Sequence, residues 1–477
     1  MNRRTFLRTA GAAAAPMVVR AASRLPNIVY ILADDLGWGD LRCYNAASRI
    51  PTPNLDRLAR QGVRFTDMHS PSAVCTPTRY GILTGRYCWR SALKKGVLQG
   101  YSPSLIEEGR PTVASFLRAA GYRTTGVGKW HLGLGSAART DFGAPLRPGP
   151  VDKGFEYYYG IPASLDMPPY LYFENDRVVE AATAETPGNG GPDPSGPYWR
   201  GGAIAPGLRI EDVLPTLTRK SVECVRSAGR AKAPFFHYFA MTGPHTPWMP
   251  TAAFRGKSAA GEYGDFVVQV DDAVGQVLRA VEESGQAGQT LVMFASDNGA
   301  RWTPEMIAKW GHRANADWRG MKADIWDGGH RIPFLARWPG RIRAGSSTGE
   351  LGCLTDLFAT VAGVVGRGLP SDAAEDSFDL LPLMTGKAAR SPREAVVHHS
   401  SEGHFSIRDR EWKLVIGHGS GGFTKPVEVA GGAPGELYDM RTDPGETRDL
   451  YTERPDVVAR LTALLERWRS SGRSRVG

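Results

Sequence analysis

The side chains able to do chemistry in this sequence fall in short, separated stretches. Asp34 and Asp35 are adjacent carboxylates, and Asp297 with Asn298 adds a second oxygen-rich pair. An all-oxygen donor set suits a hard divalent cation, Ca2+ with Mg2+ as the alternative, rather than zinc. Neighbouring carboxylates repel each other unless a cation lies between them. Lys129, His131 and His245 are groups that stabilise anions or move protons. Cys75 opens the run Cys75-Thr76-Pro77-Thr78-Arg79. Pro77 suits the first turn of a helix, where its missing N–H costs nothing. Cys75 would then sit at a helix N-terminus, where the dipole favours negative charge. On its own such a cysteine is either a candidate nucleophile or a small buried apolar residue.

These residues follow segments that read as strands. Residues 27–33 form a continuous apolar run, rich in β-branched side chains, that stops at Asp34-Asp35. Such a run predicts a strand covered on both faces, as in a parallel sheet. Residues 123–127, 234–241 and 290–295 are also strand-like and run into Lys129 and His131, His245, and Asp297-Asn298. Helices are predicted at 55–61 with Asn54 as N-cap, at 113–120 with Thr112 as N-cap, and at 265–283 from its helical apolar spacing. Alternating strands and helices predict an α/β domain, a large mixed, mostly parallel sheet flanked by helices. Ligands gather at the carboxyl ends of strands in such sheets, so four reactive strand ends define a candidate site. After residue 385 the pattern changes to short strands at 412–416 and 436–438 and a final helix at 454–469. This predicts a small C-terminal antiparallel-sheet subdomain. The expected division is 1–22, 23–385 and 386–477, with a Gly- and Pro-rich surface loop at 188–202.

Composition narrows the classes of function. The chain has 477 residues and 42% hydrophobic content, enough for one large core plus a smaller unit. Arg3-Arg4, an apolar run at 10–19 and the small residues Ala21-Ala22-Ser23 resemble a twin-arginine (Tat-type) export leader. That leader implies the Tat export machinery as partner and a periplasmic or secreted location. The apolar run is too short to span a bilayer, so no stable membrane insertion is expected. The net charge of +9 falls to +5 once Arg3, Arg4, Arg8 and Arg20 leave with the leader. A basic balance attracts anionic substrates. No dense Lys/Arg block is interleaved with aromatics, so nucleic acid is not expected as a partner. The five cysteines include no CxxC pair, against a zinc or thioredoxin-like site. An exported chain could pair four of them, and the chemistry nominates Cys75 as the fifth.

Several motifs carry a family resemblance. Cys75-x-Pro77-x-Arg79 followed by Thr84-Gly85-Arg86 resembles the sulfatase motif that directs oxidation of its cysteine to formylglycine (3-oxoalanine). Ala33-Asp34-Asp35-Leu36-Gly37, Gly128-Lys129-Trp130-His131, Gly243-Pro244-His245, Ser296-Asp297-Asn298-Gly299, Arg319-Gly320-Met321-Lys322 and Asp327-Gly328-Gly329-His330-Arg331 continue in that family's order. So do Arg337-Trp338-Pro339-Gly340, Leu437-Tyr438-Asp439 and Asp443-Pro444-Gly445-Glu446-Thr447. The resemblance runs from about residue 26 to about residue 450 and points to type I, arylsulfatase-like sulfatases of the alkaline phosphatase superfamily. Departures are small: Asp327 stands where many relatives carry Glu, Met321 where many carry Gly, and Thr78 where Ser is frequent.

The resemblance implies a set of roles. A sulfuric ester hydrolase would bind its cation through Asp34, Asp35, position 75, Asp297 and Asn298. The aldehyde at position 75, hydrated to a geminal diol, would attack sulfur and form a covalent sulfo-enzyme. Arg79 and Lys129 would stabilise the diol, while Lys129, Lys322, His245 and Ser164 would hold sulfate. His245 or Lys322 would protonate the leaving alcohol, and His131 would help expel sulfate. A formylglycine-generating maturation enzyme is an implied partner. The stretch 160–170 resembles carbohydrate sulfatases, which points to a sulfated glycan or small molecule, a 6-O-sulfated galactose or N-acetylgalactosamine among them. The alternatives are a formylglycine-dependent phosphodiesterase or phosphonate monoester hydrolase, and an inactive sugar-binding relative.

Overall fold

Strand β1 (Asn27–Asp34) is buried along its whole length, and the molecule is built outward from it. It lies between β3 (Phe235–Pro244) and β4 (Thr290–Ser296), both parallel to it, and β2 (Arg123–Lys129) runs parallel on the far side of β3. The computed structural model describes residues 25–190, 195–231 and 233–475. The leader read at 1–22 lies outside them. The central order β4-β1-β3-β2 sits within a ten-stranded sheet. Phe334–Arg337, Val63–Phe65 and Ser346–Thr348 extend it beyond β4, and Tyr157–Ile161, Phe173–Glu174 and Arg177–Val178 extend it beyond β2. The sheet is mixed because Phe334–Arg337 runs antiparallel to both its neighbours.

Side chains alternate across β1, as the pleat requires. Val29, Ile31 and Ala33 enter the core on one face, with Val267, Val270, Val274 and Val277 of helix α2 (Gly261–Glu283). Ile28, Tyr30 and Leu32 enter the core on the other, with Tyr80, Ile82 and Leu83 of helix α1 (Cys75–Thr84). Each fully buried aliphatic side chain contributes about 1.5–3 kcal/mol, so both layers clamp the sheet.

Register sets the site. Asp34 pairs with Pro244 and Ala33 with Ser296, so the carboxyl ends of β1, β3 and β4 lie level. Gly128 brings β2 to the same edge. It takes φ +122°, and a Cβ there would stand 1.7 Å from the Ala240 carbonyl oxygen, a contact only glycine permits.

The C-terminal segment forms a separate antiparallel sheet of β5 (Val396–His399), β6 (Phe405–Arg408), β7 (Trp412–Ile416) and β8 (Gly435–Asp439), in that order. Helix α3 (Pro455–Ser471) covers it with Leu461, Leu464, Leu465 and Trp468 against Ile407, Leu414 and Leu437.

Some expectations change in detail. The helix expected at 55–61 is Pro53–Arg60 with Thr52 at the N-cap. Proline fits the first helical position, and Asn54 instead donates from Nδ2 to Asp271 (2.8 Å). Helix α2 begins at Gly261, earlier than the apolar spacing at 265–283 suggests. Thr112 does cap Val113–Ala119, accepting from Ser115 N at 3.1 Å. The loop expected at 188–202 leads into a short hairpin, with Gly202–Ile204 paired to Ala184–Thr186. All five cysteines are free rather than four being paired. No helix among the described residues is long and apolar enough to cross a membrane.

Candidate functional site

Cys75 is the first residue of α1, after an extended Val74, and is 2% exposed. Burial raises its thiol above the ordinary range, a shift that Lys129 and Lys322 oppose. Arg79 stands one turn further along α1. Its guanidinium donates to Asp297 Oδ2 from Nε (3.0 Å) and Nη2 (2.8 Å), and to the Lys129 carbonyl from Nη1 (3.0 Å). One buried arginine therefore ties the cysteine helix to the ends of β4 and β2.

The strand ends interlock in the same way. Lys129 Nζ donates to both Asp34 oxygens, at 3.0 and 2.7 Å. Asp35 takes the left-handed conformation at φ +64°, which turns its carboxylate away from that of Asp34. Its Oδ1 accepts from Asn298 Nδ2 (2.7 Å) and its Oδ2 from Lys322 Nζ (2.6 Å). Its backbone N–H donates to Asp297 Oδ1 (3.1 Å). His245 Nε2 stands 3.7 Å from Asp35 Oδ2. His131, also left-handed at φ +54°, donates from Nε2 to the Leu98 carbonyl (2.8 Å). Burial, and then Lys129, hold His131 well below the usual imidazole range. It is therefore a neutral ring, and its Nδ1 has no partner.

A cleft of about 270 Å³ opens over this knot. Asp35, Cys75, Ser164, His245 and Lys322 line it. Asp34, Arg79, Lys129, His131, Asp297 and Asn298 stand behind them, all buried. The structure thus brings every candidate residue into one region, with Lys129 and His131 in the supporting layer rather than on the cleft wall.

The donor set fits a hard cation. Asp34, Asp35 and Asp297 face Arg79, Lys129 and Lys322, so three carboxylates meet three cations with no surplus positive charge. Burial would raise Asp35, but Lys322 and His245 hold it below its ordinary value. Asp297 goes the other way: burial and the nearby Asp34 outweigh Arg79 and push it up. Asn298 Oδ1 is buried without a partner. An oxygen-lined point with no surplus positive charge and an orphaned amide oxygen suits a divalent cation.

The cleft has further walls, of which the sequence pointed only to the stretch that carries Asp166. Asp166 is 4% exposed, accepts from Arg200 Nη1 at 2.6 Å through Oδ2, and has no partner at Oδ1. Tyr263 donates to Asp40 Oδ2 (2.5 Å) behind Trp248, and both rings line the cleft. Arg301 donates to Ser195, and Phe423 stands opposite. Apart from Tyr263, in the first turn of α2, these residues come from loops with no period, and the one sequence signal was the stretch at 164–170.

Comparison with known proteins places this geometry. The sulfatase family matches residues 26–367, and the family described as N-sulphoglucosamine sulphohydrolase, C-terminal, matches residues 321–471. The N-acetylgalactosamine-6-O-sulfatase of Bacteroides thetaiotaomicron is 34% identical over 93% of this chain and 93% of its own length. Human arylsulfatase A is 36% identical over 93% of this chain and 88% of its own length. A solved Bacteroides thetaiotaomicron structure, described under metabolism of multiple glycosaminoglycans, superimposes with a TM-score of 0.84 at 33% identity, covering 94% of this chain and all of that one. The chain belongs to the sulfatase family, within the alkaline phosphatase-like superfamily. It is a sulfatase, an enzyme that hydrolyses sulfate esters.

Proposed function

We propose that this sulfatase removes sulfate from a sulfated carbohydrate, with a 6-O-sulfated galactose or N-acetylgalactosamine as the substrate of choice. The reading draws on the relative named N-acetylgalactosamine-6-O-sulfatase and on the polar-floored cleft. The observation that carries it is the meeting of Cys75 with Asp35, His245, Lys322 and Ser164 on one cleft wall, over a buried all-oxygen knot.

Asp34, Asp35, position 75, Asp297 and Asn298 would hold Ca2+ (or Mg2+), which would supply Lewis-acid activation to the oxygen nucleophile of a formylglycine made from Cys75. The chain's other groups do the remaining work. Lys322 and Ser164, whose Oγ has no partner in the structure, face the sulfate oxygens. His245 sits beside Asp35 and protonates the departing sugar oxygen, with Lys322 as the alternative donor. Arg79 fixes α1 against the cation-binding aspartates, and Lys129 neutralises Asp34 beneath the reacting centre. His131, kept neutral by burial, has its Nδ1 free to accept a proton as sulfate departs.

The reading requires a maturation enzyme for Cys75, and the twin-arginine leader supports export to the periplasm or beyond. The test is the mass of tryptic peptide 65–79 from active protein, with sulfate release from 6-O-sulfated N-acetylgalactosamine. Conversion of the thiol to an aldehyde together with sugar desulfation is expected. An unmodified cysteine in protein that still turns over sulfate esters overturns the nucleophile.

A further inference from the structure

Four large apolar side chains are exposed among the described residues: Val179, Ile416, Phe423 and Val429. Phe423 is the aromatic one, and it alone of the four lines the cleft over Cys75. It is 45% exposed, so it stands at the mouth while Cys75, at 2%, stands at the floor.

Its loop is not slack. The Phe423 and Thr424 amides both donate to Asp324 Oδ1, at 2.8 and 3.0 Å. The other oxygen of that carboxylate accepts from Met321 N at 2.9 Å. Ile325 N donates to the Ser420 carbonyl (2.8 Å) and Gly422 N to Ser420 Oγ (3.0 Å). A Cβ on Gly422 would stand 2.3 Å from the backbone of Ala323. The C-terminal segment is thereby fastened to residues 321–325, the stretch that carries Lys322. Phe423 is held at a fixed place relative to the sulfate-facing lysine, with its ring 5.8 Å from the Arg301 guanidinium.

An aromatic ring at the rim of a cleft, half in water on an anchored loop, offers an apolar face to whatever the cleft binds. On the carbohydrate reading the floor takes the sulfate and the ring that bears it. We propose that Phe423 forms a second subsite, a platform for the apolar C–H face of the next pyranose ring of a glycan. This rests on the carbohydrate reading above. It makes the C-terminal segment part of the device that distinguishes a chain from a single sugar.

The test compares a 6-O-sulfated N-acetylgalactosamine monosaccharide with a tetrasaccharide bearing the same group, on wild type, Phe423→Ala and Phe423→Trp. Wild type is expected to favour the tetrasaccharide. Phe423→Ala should raise KM for the tetrasaccharide by about 3- to 10-fold, the worth of one aromatic stacking contact, with kcat unchanged. The monosaccharide should be handled as by wild type, Phe423→Trp should keep the preference, and the melting temperature should not move. Equal losses on both substrates, or a tetrasaccharide preference that survives Phe423→Ala, overturns the subsite alone. A wild-type enzyme active on aryl sulfate that ignores both sugars overturns the carbohydrate reading and the subsite together.

Discussion

Two buried knots of charge in this molecule have the same composition and opposite uses. In the cleft, Asp34, Asp35 and Asp297 meet Arg79, Lys129 and Lys322. Between the large sheet and the C-terminal sheet, Asp67, Asp327 and Glu446 meet Arg331, Arg408 and Lys413. Each holds three carboxylates and three cations. The second knot also contains His69, His330 and His398, whose ring nitrogens lie close enough together to suggest a metal. The rings of His330 and His398 stack at 3.6 Å with planes 11° apart, so their in-plane lone pairs do not converge on one ion. Lys413 Nζ stands 3.1 Å from His330 Nε2, a poor neighbour for a cation. What separates site from strut is access. The first knot sits at strand ends under a cleft and leaves Asn298 Oδ1 facing an oxygen-lined point; the second is sealed between two sheets and joins Asp67 and Asp327 on one side to Arg408 of β6 and Lys413 of β7 on the other.

The comparison breaks if the knots respond alike to damage. The largest effect is expected at the cleft. Cys75→Ala should lower sulfate-ester turnover by about 10⁴-fold or more, the scale for loss of a nucleophile, while the melting temperature stays within a few degrees. A chelator should likewise remove turnover, with Ca2+ restoring it; chelated protein that remains fully active would remove the cation from the site. At the strut, Lys413→Met leaves Asp327 and Glu446 facing each other without their common partner. A loss of about 3–5 kcal/mol in urea unfolding is expected, the usual cost of breaking a buried pair, with turnover per folded molecule retained. Loss of turnover without loss of stability would make the strut part of the machinery.

A finer effect is acid sensitivity. Burial holds His69 down at about 4, and it holds His330 and His398 well below the ordinary imidazole value. The unfolded chain takes up protons at these rings near pH 6.5 while the folded chain does not. Their contribution is therefore present above that pH and lost as pH falls toward 4. His398→Gln removes a ring whose Nε2 has no partner and should cut the acid slope of unfolding by about one proton. An unchanged slope would place the acid response elsewhere.

The sequence foretold the cleft better than the strut. Asp34-Asp35, His245 and Asp297 follow apolar runs and Lys129 ends a Thr- and Val-containing one, and parallel pairing leaves such strand ends only one edge to share. Asp166 and Phe423 had no such signal, since their places depend on Arg200 and Asp324, distant partners that no local pattern announces. Strand β5 went unread because Val396–His399 ends in two histidines, which look polar until β6 and the strut bury them. Asn54 looked like a cap, but Pro53 made the better first residue and Asp271 claimed the amide.

The ion pairs of the cleft also set an order in time. Arg79 reaches Asp297 across 218 residues, and Asp35 reaches Lys322 across 287. Contacts of such separation form late in folding. A chain still being made, even with Cys75 and both leading aspartates already in place, holds unpaired fragments of a site and no catalyst. The cleft is complete only when the chain as far as Lys322 has packed against the strand ends, so sulfate release doubles as a report that these distant segments have met.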